Sequence, residues 1–227
     1  MIEETNYRLE RKFFITGVNI RIIENYIRLN NAHFRALYKP RQINNIYFDT
    51  NDFDNFFSSY EGISNRVKVR IRWYGATLGL VEKPVLELKF KENFFVKKEL
   101  FPLVSFDLNK GFKVEIIYRA LKMAKIPWLT RENLFSLRPM LLNSYKRRYY
   151  QSFDKNYRLT LDKQLKFFKI TGCQNNLLFS VHDKKSLVLE LKYSPENDDM
   201  AETITNSFPF RMTKSSKYVG GIMKLYE

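Results

Sequence analysis

The segment at 65–74, NRVKVRIRWY, alternates cations with apolar residues through four repeats. Successive side chains of a β-strand point to opposite faces, so the four cations Arg66, Lys68, Arg70 and Arg72 would share one face. Like charges at this spacing repel one another unless the face is solvated or an anion lies along it. The segment therefore indicates either a solvated strand face or a binding surface for a polyanion.

The same alternation occurs in four other segments, whose polar faces carry both cations and acids. These faces would hold Arg8, Glu10 and Lys12; Glu87, Lys89 and Lys91; Arg158, Thr160 and Asp162; and Glu190 and Lys192. Because the opposite faces are apolar, an antiparallel β-barrel with a charged interior and helices packed outside would explain both. Burying unpaired cations is costly, so such an interior needs anions, and a chain of phosphates would supply them.

The composition agrees with a folded chain that binds an anionic partner. Of its 227 residues, 44% are hydrophobic, and only 8 are Gly and 7 are Pro, so we expect a packed core rather than disorder. The 39 Lys and Arg exceed the 24 Asp and Glu, which gives a net charge of +15. Such a field attracts nucleotides, polyphosphate, nucleic acid or an anionic membrane surface.

The scarcity of some residues disfavours other classes of function. The single cysteine, Cys173, excludes an internal disulfide and a multi-cysteine metal site, and two histidines, His33 and His182, are too few for a histidine-rich site. No apolar run approaches the roughly 18 residues that span a bilayer, and the N-terminal segment has no signal-peptide pattern. We therefore expect a cytoplasmic protein, which a partner could hold at the inner face of a membrane.

The periodicities predict an α+β fold, in a single domain over residues 1–227. Period-two alternation predicts strands at 7–15, 44–50, 65–74, 84–92, 94–103, 139–153, 157–163 and 184–194. Helical spacing of apolar residues predicts helices at 19–30 and 113–125. The chain after roughly residue 200 is expected to be helical, with the polar stretch TKSSKYVGG between two helices.

Seven segments in a fixed order resemble one known family. They are YRLERKFFI, NNIYFDTNDF, NRVKVRIRWYG, VLELKFKE, YKRRYYQSFDKNYRLTLDKQL, LVLELKY and TKSSKY. Their order and spacing resemble the VTC domain, the polyphosphate-polymerase domain of the triphosphate tunnel metalloenzyme, or CYTH-like, superfamily. The resemblance implies a triphosphate tunnel: an antiparallel β-barrel with a cationic lumen, flanked by helices.

The resemblance also implies a site, carried over position by position. It assigns catalytic phosphate contacts to Lys12, Arg70, Arg72, Lys89, Arg147, Arg158 and Lys217, and metal binding to Glu190. Further substrate-binding residues would be Arg66, Lys68, Lys98, Lys192, Lys214 and Ser216. The lysines Lys97 and Lys98 are adjacent, so only one of them can face the lumen, and we favour Lys98.

Members of this family move the γ-phosphate of ATP onto a growing polyphosphate chain with Mn²⁺ or Mg²⁺, so the resemblance implies ATP and polyphosphate as substrates. The residue types suit this chemistry, because phosphoryl transfer needs positioning and charge neutralisation more than a strong base. Arginine binds phosphate oxygens in pairs, and lysine acts as a mobile point charge. A hard metal ion can be held by one carboxylate plus phosphates. Any membrane component would be a separate polypeptide partner.

Two alternatives to a polymerase stay open. Hydrolases and cyclases of the tunnel class typically begin with E-x-E-x-K, whereas the corresponding stretch here is RLERK at 8–12, with Arg8 in place of the first acid. This departure favours a polymerase over a tripolyphosphatase or nucleoside triphosphatase, which is the first alternative. The second is a non-catalytic module that binds polyphosphate or nucleic acid. We do not expect nucleic acid, because Glu10, Glu87 and Glu190 on the same faces would repel its backbone.

Overall fold

The computed structural model describes residues 8–92, 95–108, 112–171, 174–175 and 179–226, so Cys173 lies outside the described residues. Its strands are β1 (Leu9–Thr16), β2 (Arg35–Ala36), β3 (Arg41–Asp49), β4 (Arg66–Tyr74), β5 (Leu80–Val81), β6 (Val85–Glu92), β7 (Phe95–Pro102), β8 (Phe106–Asp107), β9 (Phe112–Lys113), β10 (Arg138–Gln151), β11 (Arg158–Lys169), β12 (Gln174–Asn175), β13 (Ser180–Asp183) and β14 (Ser186–Tyr193). Its helices are α1 (Ile20–Leu29), α2 (Asp54–Tyr60), α3 (Val114–Met123), α4 (Trp128–Phe135), α5 (Asp198–Asn206) and α6 (Lys217–Tyr226).

The described residues fall into two compact units, each assembled from three segments of the chain. Unit 1 takes its described residues from Met1–Arg41, Tyr145–Leu165 and Asp183–Ser215, and unit 2 takes its own from Gln42–Ser144, Lys166–His182 and Ser216–Glu227. The long strands β10 and β11 contribute residues to both units. The single domain over 1–227 stays a prediction.

Antiparallel pairing organises the sheet in each unit. In unit 1 the strand order is β1-β14-β11-β10, and in unit 2 it is β10-β3-β4-β6-β7. Along β1 and β14 all eight residues pair, from Leu9 with Tyr193 to Thr16 with Ser186. Over the described residues the strand order has two ends, β1 and β7, so hydrogen bonds do not close the sheet. The predicted α+β class, an antiparallel sheet with flanking helices, is confirmed.

Each unit has its own apolar core on the side of the sheet opposite the charged side chains. In unit 1, Phe13 and Leu189 of paired strands pack with Ile23 and Ile27, the buried face of α1. In unit 2, Val69, Ile71 and Trp73, which alternate with the cations of β4, are at most 2% exposed. The alternation read from the sequence therefore does separate an apolar face from a charged face on β4.

The element boundaries depart from the sequence-based expectation in two regions. Strand β11 continues to Lys169, beyond the predicted end at 163. Helix α6 begins at Lys217, inside the polar stretch that we expected to separate two helices. The short helix α2 was not expected, because the polar groups that fix its first turn are not local: the carboxylate of Asp49, at the end of β3, accepts backbone N–H bonds from Asn55 (2.8 Å) and Phe56 (2.9 Å).

A pair of adjacent glycines in α6 yields a stability prediction. A methyl group on Gly221 would lie 2.6 Å from both Leu141 Cδ2 and Phe167 Cδ1, whereas one on Gly220 would meet nothing within 4 Å. We expect Gly221→Ala to destabilise the chain by about 1–3 kcal/mol through overpacking. Gly220→Ala, the matched control, should be neutral or stabilising by about 0.5–1 kcal/mol, because alanine favours a helix. Urea unfolding midpoints measure both, and equal midpoints for the two variants would contradict the packing of α6.

Candidate functional site

The charged face of β4 lies between two neighbouring strands that supply its partners. Arg70 pairs in register with Tyr47 of β3 and with Glu87 of β6, and Arg72 pairs with Asn45 of β3. Residues opposite each other in an antiparallel pair share a face, so these side chains meet. Arg72 Nε donates to Asn45 Oδ1 at 3.0 Å, and Arg70 Nη1 donates to the Tyr47 hydroxyl at 3.3 Å.

One carboxylate, that of Glu87, contacts three cations in unit 2. Its oxygens lie 2.7 Å from Arg70 Nε, 3.2 Å from Arg72 Nη1 and 3.3 Å from Lys98 Nζ. Burial by itself would raise the pKa of Glu87, but the three cations outweigh burial and lower this pKa from 4.5 to about 2. Glu87 therefore stays ionised near neutral pH and holds the cations in place; we call these four residues the Glu87 cluster.

The Glu87 cluster carries more positive than negative charge. Three cations surround one carboxylate, and the pKa of Lys98 is lowered, first by burial and then by Arg70 and Arg72, although Glu87 acts in the other direction. The side chains of Arg70 and Lys98 are 24% and 45% exposed, so their donors remain accessible to a ligand. An anion with several oxygens would find arginine forks and a mobile ammonium here.

The two adjacent lysines of β7 point to opposite faces. Lys98 pairs in register with Lys89 and reaches Glu87, whereas Lys97 pairs with Phe90 and lies 3.0 Å from Glu99. The side chain on the face of Arg70 is therefore that of Lys98.

Other predicted residues of unit 2 extend the same face or border it. Lys68 pairs in register with Lys89, and its Nζ donates to Ser216 Oγ at 3.1 Å, just before α6 begins at Lys217. Arg66 donates to the carbonyl oxygen of Ile63 and lies further along β4. The structure thus brings Lys68 and Ser216 together, and the Glu87 cluster does not include them.

In unit 1, two lysines and two glutamates alternate in a closed ring. Lys12 Nζ lies 2.8 Å from Glu10 Oε2 and 3.7 Å from Glu190 Oε2, while Lys192 Nζ lies 3.3 Å from Glu10 Oε1 and 2.8 Å from Glu190 Oε1. The register of β1 with β14 creates this ring, because Glu10 lies opposite Lys192 and Lys12 opposite Glu190. Burial alone would lower the pKa of Lys12, but the two carboxylates raise it. We call these residues the lysine–glutamate ring.

A separate buried ion pair in unit 1 holds Arg147. Its Nε and Nη2 donate to the two oxygens of Asp162 at 2.6 and 2.7 Å, and the Asp162 side chain is only 1% exposed. Burial would lower the pKa of Arg147, but Asp162 outweighs it and raises the pKa well above its usual value. Arg147 also lies over the rings of Tyr145 and Tyr149, with its Cζ at 5.4 and 5.9 Å from their centroids.

The two remaining predicted cations of unit 1 are exposed. Arg158 pairs in register with Lys192, which places it on the face of the lysine–glutamate ring. Lys214 follows Thr213, whose backbone N–H donates to the Lys12 carbonyl oxygen at 2.8 Å. Because both side chains are exposed, each could change its conformation to contact a ligand.

The lysine–glutamate ring offers too few oxygen ligands to bind Mg²⁺ or Mn²⁺ by itself. It suits these ions when phosphates supply the other coordinating oxygens. Glu190 and Glu10 are hard oxygen donors, and Thr160, opposite Glu190 in the register, has a buried hydroxyl without a hydrogen-bond partner among the described residues. Within the described ranges, no group of three or more His, Cys, Asp and Glu could hold a metal by itself. Glu190, Glu10 and Thr160 therefore fit a hard cation that shares its coordination with substrate phosphates and water.

Sequence reasoning gave no role to three uncharged side chains, Asn45 and Tyr47 in unit 2 and Thr160 in unit 1. Asn45, Tyr47 and Thr160 contact or lie opposite predicted residues, yet none carries charge. The only signal for the first two was their position in β3, where alternate residues must share the face of the neighbouring cations. Thr160 occupies the middle of the R-x-T-x-D alternation, where its spacing alone placed it on the charged face.

Comparison with known proteins places the chain in a family. The VTC domain profile matches residues 7–226. The chain belongs to the VTC domain family. No curated protein sequence matches this VTC domain. Within the part that the structure describes, no helix is long and apolar enough to cross a membrane.

Solved structures similar to this VTC domain share its fold at low sequence identity. A putative adenylate cyclase from Vibrio parahaemolyticus is 11% identical with a TM-score of 0.51, over 94% of this chain and 96% of that one. A Pyrococcus horikoshii protein is 13% identical with a TM-score of 0.53, over 96% of this chain and 99% of that one. A putative adenylyl cyclase from Hippeastrum, with a dominant triphosphatase activity, is 15% identical with a TM-score of 0.52, over 95% and 96%. These likenesses show the fold, which is of the triphosphate-tunnel class predicted from the sequence.

The Glu87 cluster yields a pH-dependent stability prediction. Because the pKa of Glu87 is lowered from 4.5 to about 2 on folding, its contribution is complete above pH 4.5 and disappears as the pH falls through about 2. We expect Glu87→Gln to lower the free energy of unfolding by on the order of 3 kcal/mol at pH 6 and by much less at pH 2.5. Urea unfolding at both pH values measures the difference.

A matched control lies on the neighbouring strand. Glu99 pairs with Lys97, whose side chain is 62% exposed, so Glu99→Gln should cost no more than about 1 kcal/mol at either pH. If Glu87→Gln were as mild as Glu99→Gln at pH 6, the three contacts of Glu87 would not stabilise the fold.

The buried pair in unit 1 yields a second comparison. We expect Asp162→Asn to destabilise the chain by about 3–5 kcal/mol, because the buried Arg147 guanidinium loses the carboxylate that accepts two of its N–H bonds. The adjacent Arg148 pairs with Glu24, but their side chains are 39% and 26% exposed, so Glu24→Gln should cost at most about 1 kcal/mol. Thermal unfolding of both variants checks the contrast, and similar losses would contradict the burial of the first pair.

Proposed function

We propose that this VTC domain is a phosphotransferase that moves the γ-phosphate of ATP onto a growing polyphosphate chain. The observation that carries the proposal is the Glu87 cluster, in which the Glu87 carboxylate contacts the three cations Arg70, Arg72 and Lys98 on one strand face. A bound triphosphate or polyphosphate would complete the neutralisation that one carboxylate begins. Membership of the VTC family and the tunnel fold of the neighbours support the same substrate class.

The charged side chains described in each unit are of the types that bind phosphates. In the proposed reaction a terminal oxygen of polyphosphate attacks the γ-phosphorus, the bond from that phosphorus to the bridging oxygen of ADP breaks, and ADP leaves with the electron pair. The attacking oxygen is already ionised, so no strong general base is required. Arginine and lysine would position both phosphates and stabilise the charge that develops on the oxygens.

The ring residues would supply the metal site. Glu190, with Glu10 and Thr160 beside it, would hold Mn²⁺ or Mg²⁺ together with phosphate oxygens, and the ion would add charge neutralisation when bound. For this to happen, Lys12 and Lys192 must exchange carboxylate contacts for phosphate contacts. The other proposed substrate contacts are Arg147, Arg158 and Lys214 in unit 1, and Lys89, Lys217, Arg66, Lys68 and Ser216 in unit 2.

The residues around the start of β1 support a polymerase over a hydrolase. Arg8 occupies the position of an acid in the E-x-E-x-K motif of tunnel hydrolases and cyclases, which leaves Glu10 as the single carboxylate of that motif. Hydrolysis of triphosphate remains the second candidate, because the structurally similar Hippeastrum protein has a dominant triphosphatase activity.

Product analysis of the purified chain tests the proposal. Incubation with ATP and Mn²⁺, followed by gel separation and assays for ADP and free phosphate, should show polyphosphate that lengthens as ADP accumulates. Free phosphate released in step with ADP, without chains, would contradict the polymerase and support the triphosphatase. Intact ATP with tight polyphosphate binding would show a non-catalytic module.

Variants assign the residues behind this activity. Arg70→Ala should lower kcat/KM by about 100-fold or more, because it removes a charged donor from the transferred phosphate. Glu190→Gln should raise the Mn²⁺ concentration that gives half-maximal activity. The matched control is Lys122→Ala, an exposed cation in α3 that lies over the Phe135 ring and outside both clusters. Activity of Arg70→Ala equal to that of Lys122→Ala would refute the assignment of Arg70.

A further inference from the structure

A cavity with two arginines on its wall lies in unit 1. Its residues take no part in the lysine–glutamate ring. It has a volume of about 430 Å³ and is lined by Arg28, His33, Phe34, Arg35 and Phe153. This volume is within the usual range for small-molecule sites. We call it the Phe153 cavity.

The backbone around the Phe153 cavity is held by buried hydrogen bonds. Asn30, only 3% exposed, donates to Ser207 Oγ at 2.6 Å and to the Ile204 carbonyl oxygen at 3.3 Å. The N–H of Phe153 donates to the Ala32 carbonyl oxygen at 3.0 Å, which joins the turn after α1 to the turn between β10 and β11. These hydrogen bonds fix the backbone from which the side chains of the cavity project.

Among the described residues, no carboxylate pairs with the cations of this cavity. Arg28 donates to a neutral oxygen, Asn25 Oδ1, at 3.2 Å, and Arg35 lies over the Phe153 ring with its Cζ 5.7 Å from the centroid. Among the residues that the structure describes, neither arginine forms a salt bridge, and no carboxylate lines the cavity. The neighbouring Asp154 instead accepts bonds from Asn156 within its own turn.

The aromatic ring of Phe153 lines the cavity together with these two arginines. The Phe153 side chain is 69% exposed, whereas Phe34, also on the cavity wall, is 6% exposed. An exposed ring beside arginine forks is the combination that binds a planar base and a phosphate together, since the base stacks on the ring and the arginines bind the phosphate oxygens. A bare polyphosphate would use the cations alone and would gain nothing from Phe153.

We propose that the Phe153 cavity is a second ligand site, which binds a nucleoside monophosphate through Arg28 and Arg35 on the phosphate and Phe153 on the base. His33 supplies a further ring nitrogen at the cavity wall. The site is independent of the proposed transfer reaction, because none of its residues belongs to the lysine–glutamate ring or the Glu87 cluster.

Calorimetric titration of the full chain with AMP tests this site. We expect Phe153→Ala to weaken AMP binding at least about fivefold through lost stacking, and Phe153→Tyr, which keeps the ring, to preserve it. Arg35→Ala should weaken AMP binding about tenfold. Lys122→Ala, which removes a cation from another aromatic ring outside both proposed sites, should leave AMP binding unchanged.

Three results would overturn the proposal. The first is AMP binding that is insensitive to Phe153→Ala and Arg35→Ala, or that is lost in Arg70→Ala instead. The second is inorganic phosphate that binds as tightly as AMP and is unaffected by Phe153→Ala, which would leave no role for a base. The third is no AMP binding together with Phe153-dependent sedimentation on phosphatidylserine vesicles, which would make the cavity a lipid contact. Polymerase or hydrolase activity decides none of these results, so the two proposals can fail separately.

Discussion

A constraint on cations packed side by side on a sheet is their mutual repulsion, which fixed carboxylates among them offset. Glu87 meets this constraint for Arg70, Arg72 and Lys98, and burial would otherwise make each of those charges costly. The lowered pKa of Glu87 ensures that the counter-charge is present at neutral pH. Much of the charged face in unit 2 depends on this one carboxylate.

The lysine–glutamate ring and the Glu87 cluster both place carboxylates among cations, but they differ in net formal charge. The lysine–glutamate ring holds two cations and two carboxylates, so it is neutral in formal charge, whereas the Glu87 cluster keeps an excess of two positive charges. A neutral ring can take a metal ion and a phosphate together, while a cationic cluster can take phosphate alone. This difference separates metal binding by Glu190 from phosphate binding by Arg70 in the proposed reaction.

The sequence predicts the faces of the strands better than the partners across them. Period-two alternation placed Arg70 and Arg72 opposite the apolar Ile71 and Trp73, and this is how β4 is built. The pairing of Arg147 with Asp162 depends on which strands become neighbours and in what register, which alternation within one strand does not encode. The short helix α2 depends likewise on Asp49, a residue outside it. The resemblance to the VTC domain added the tunnel fold of the family and the position-by-position assignment of site residues.

Thermal unfolding with tripolyphosphate tests most directly whether a polyanion completes the neutralisation that Glu87 begins. Tripolyphosphate should raise the melting temperature of the parent chain, since a ligand that binds only the folded state stabilises it. The rise should be larger in Glu87→Gln at the same concentration, because removing the carboxylate leaves one more positive charge for the ligand. An equal or smaller rise in Glu87→Gln would contradict the role of the Glu87 cluster as a partly neutralised phosphate site.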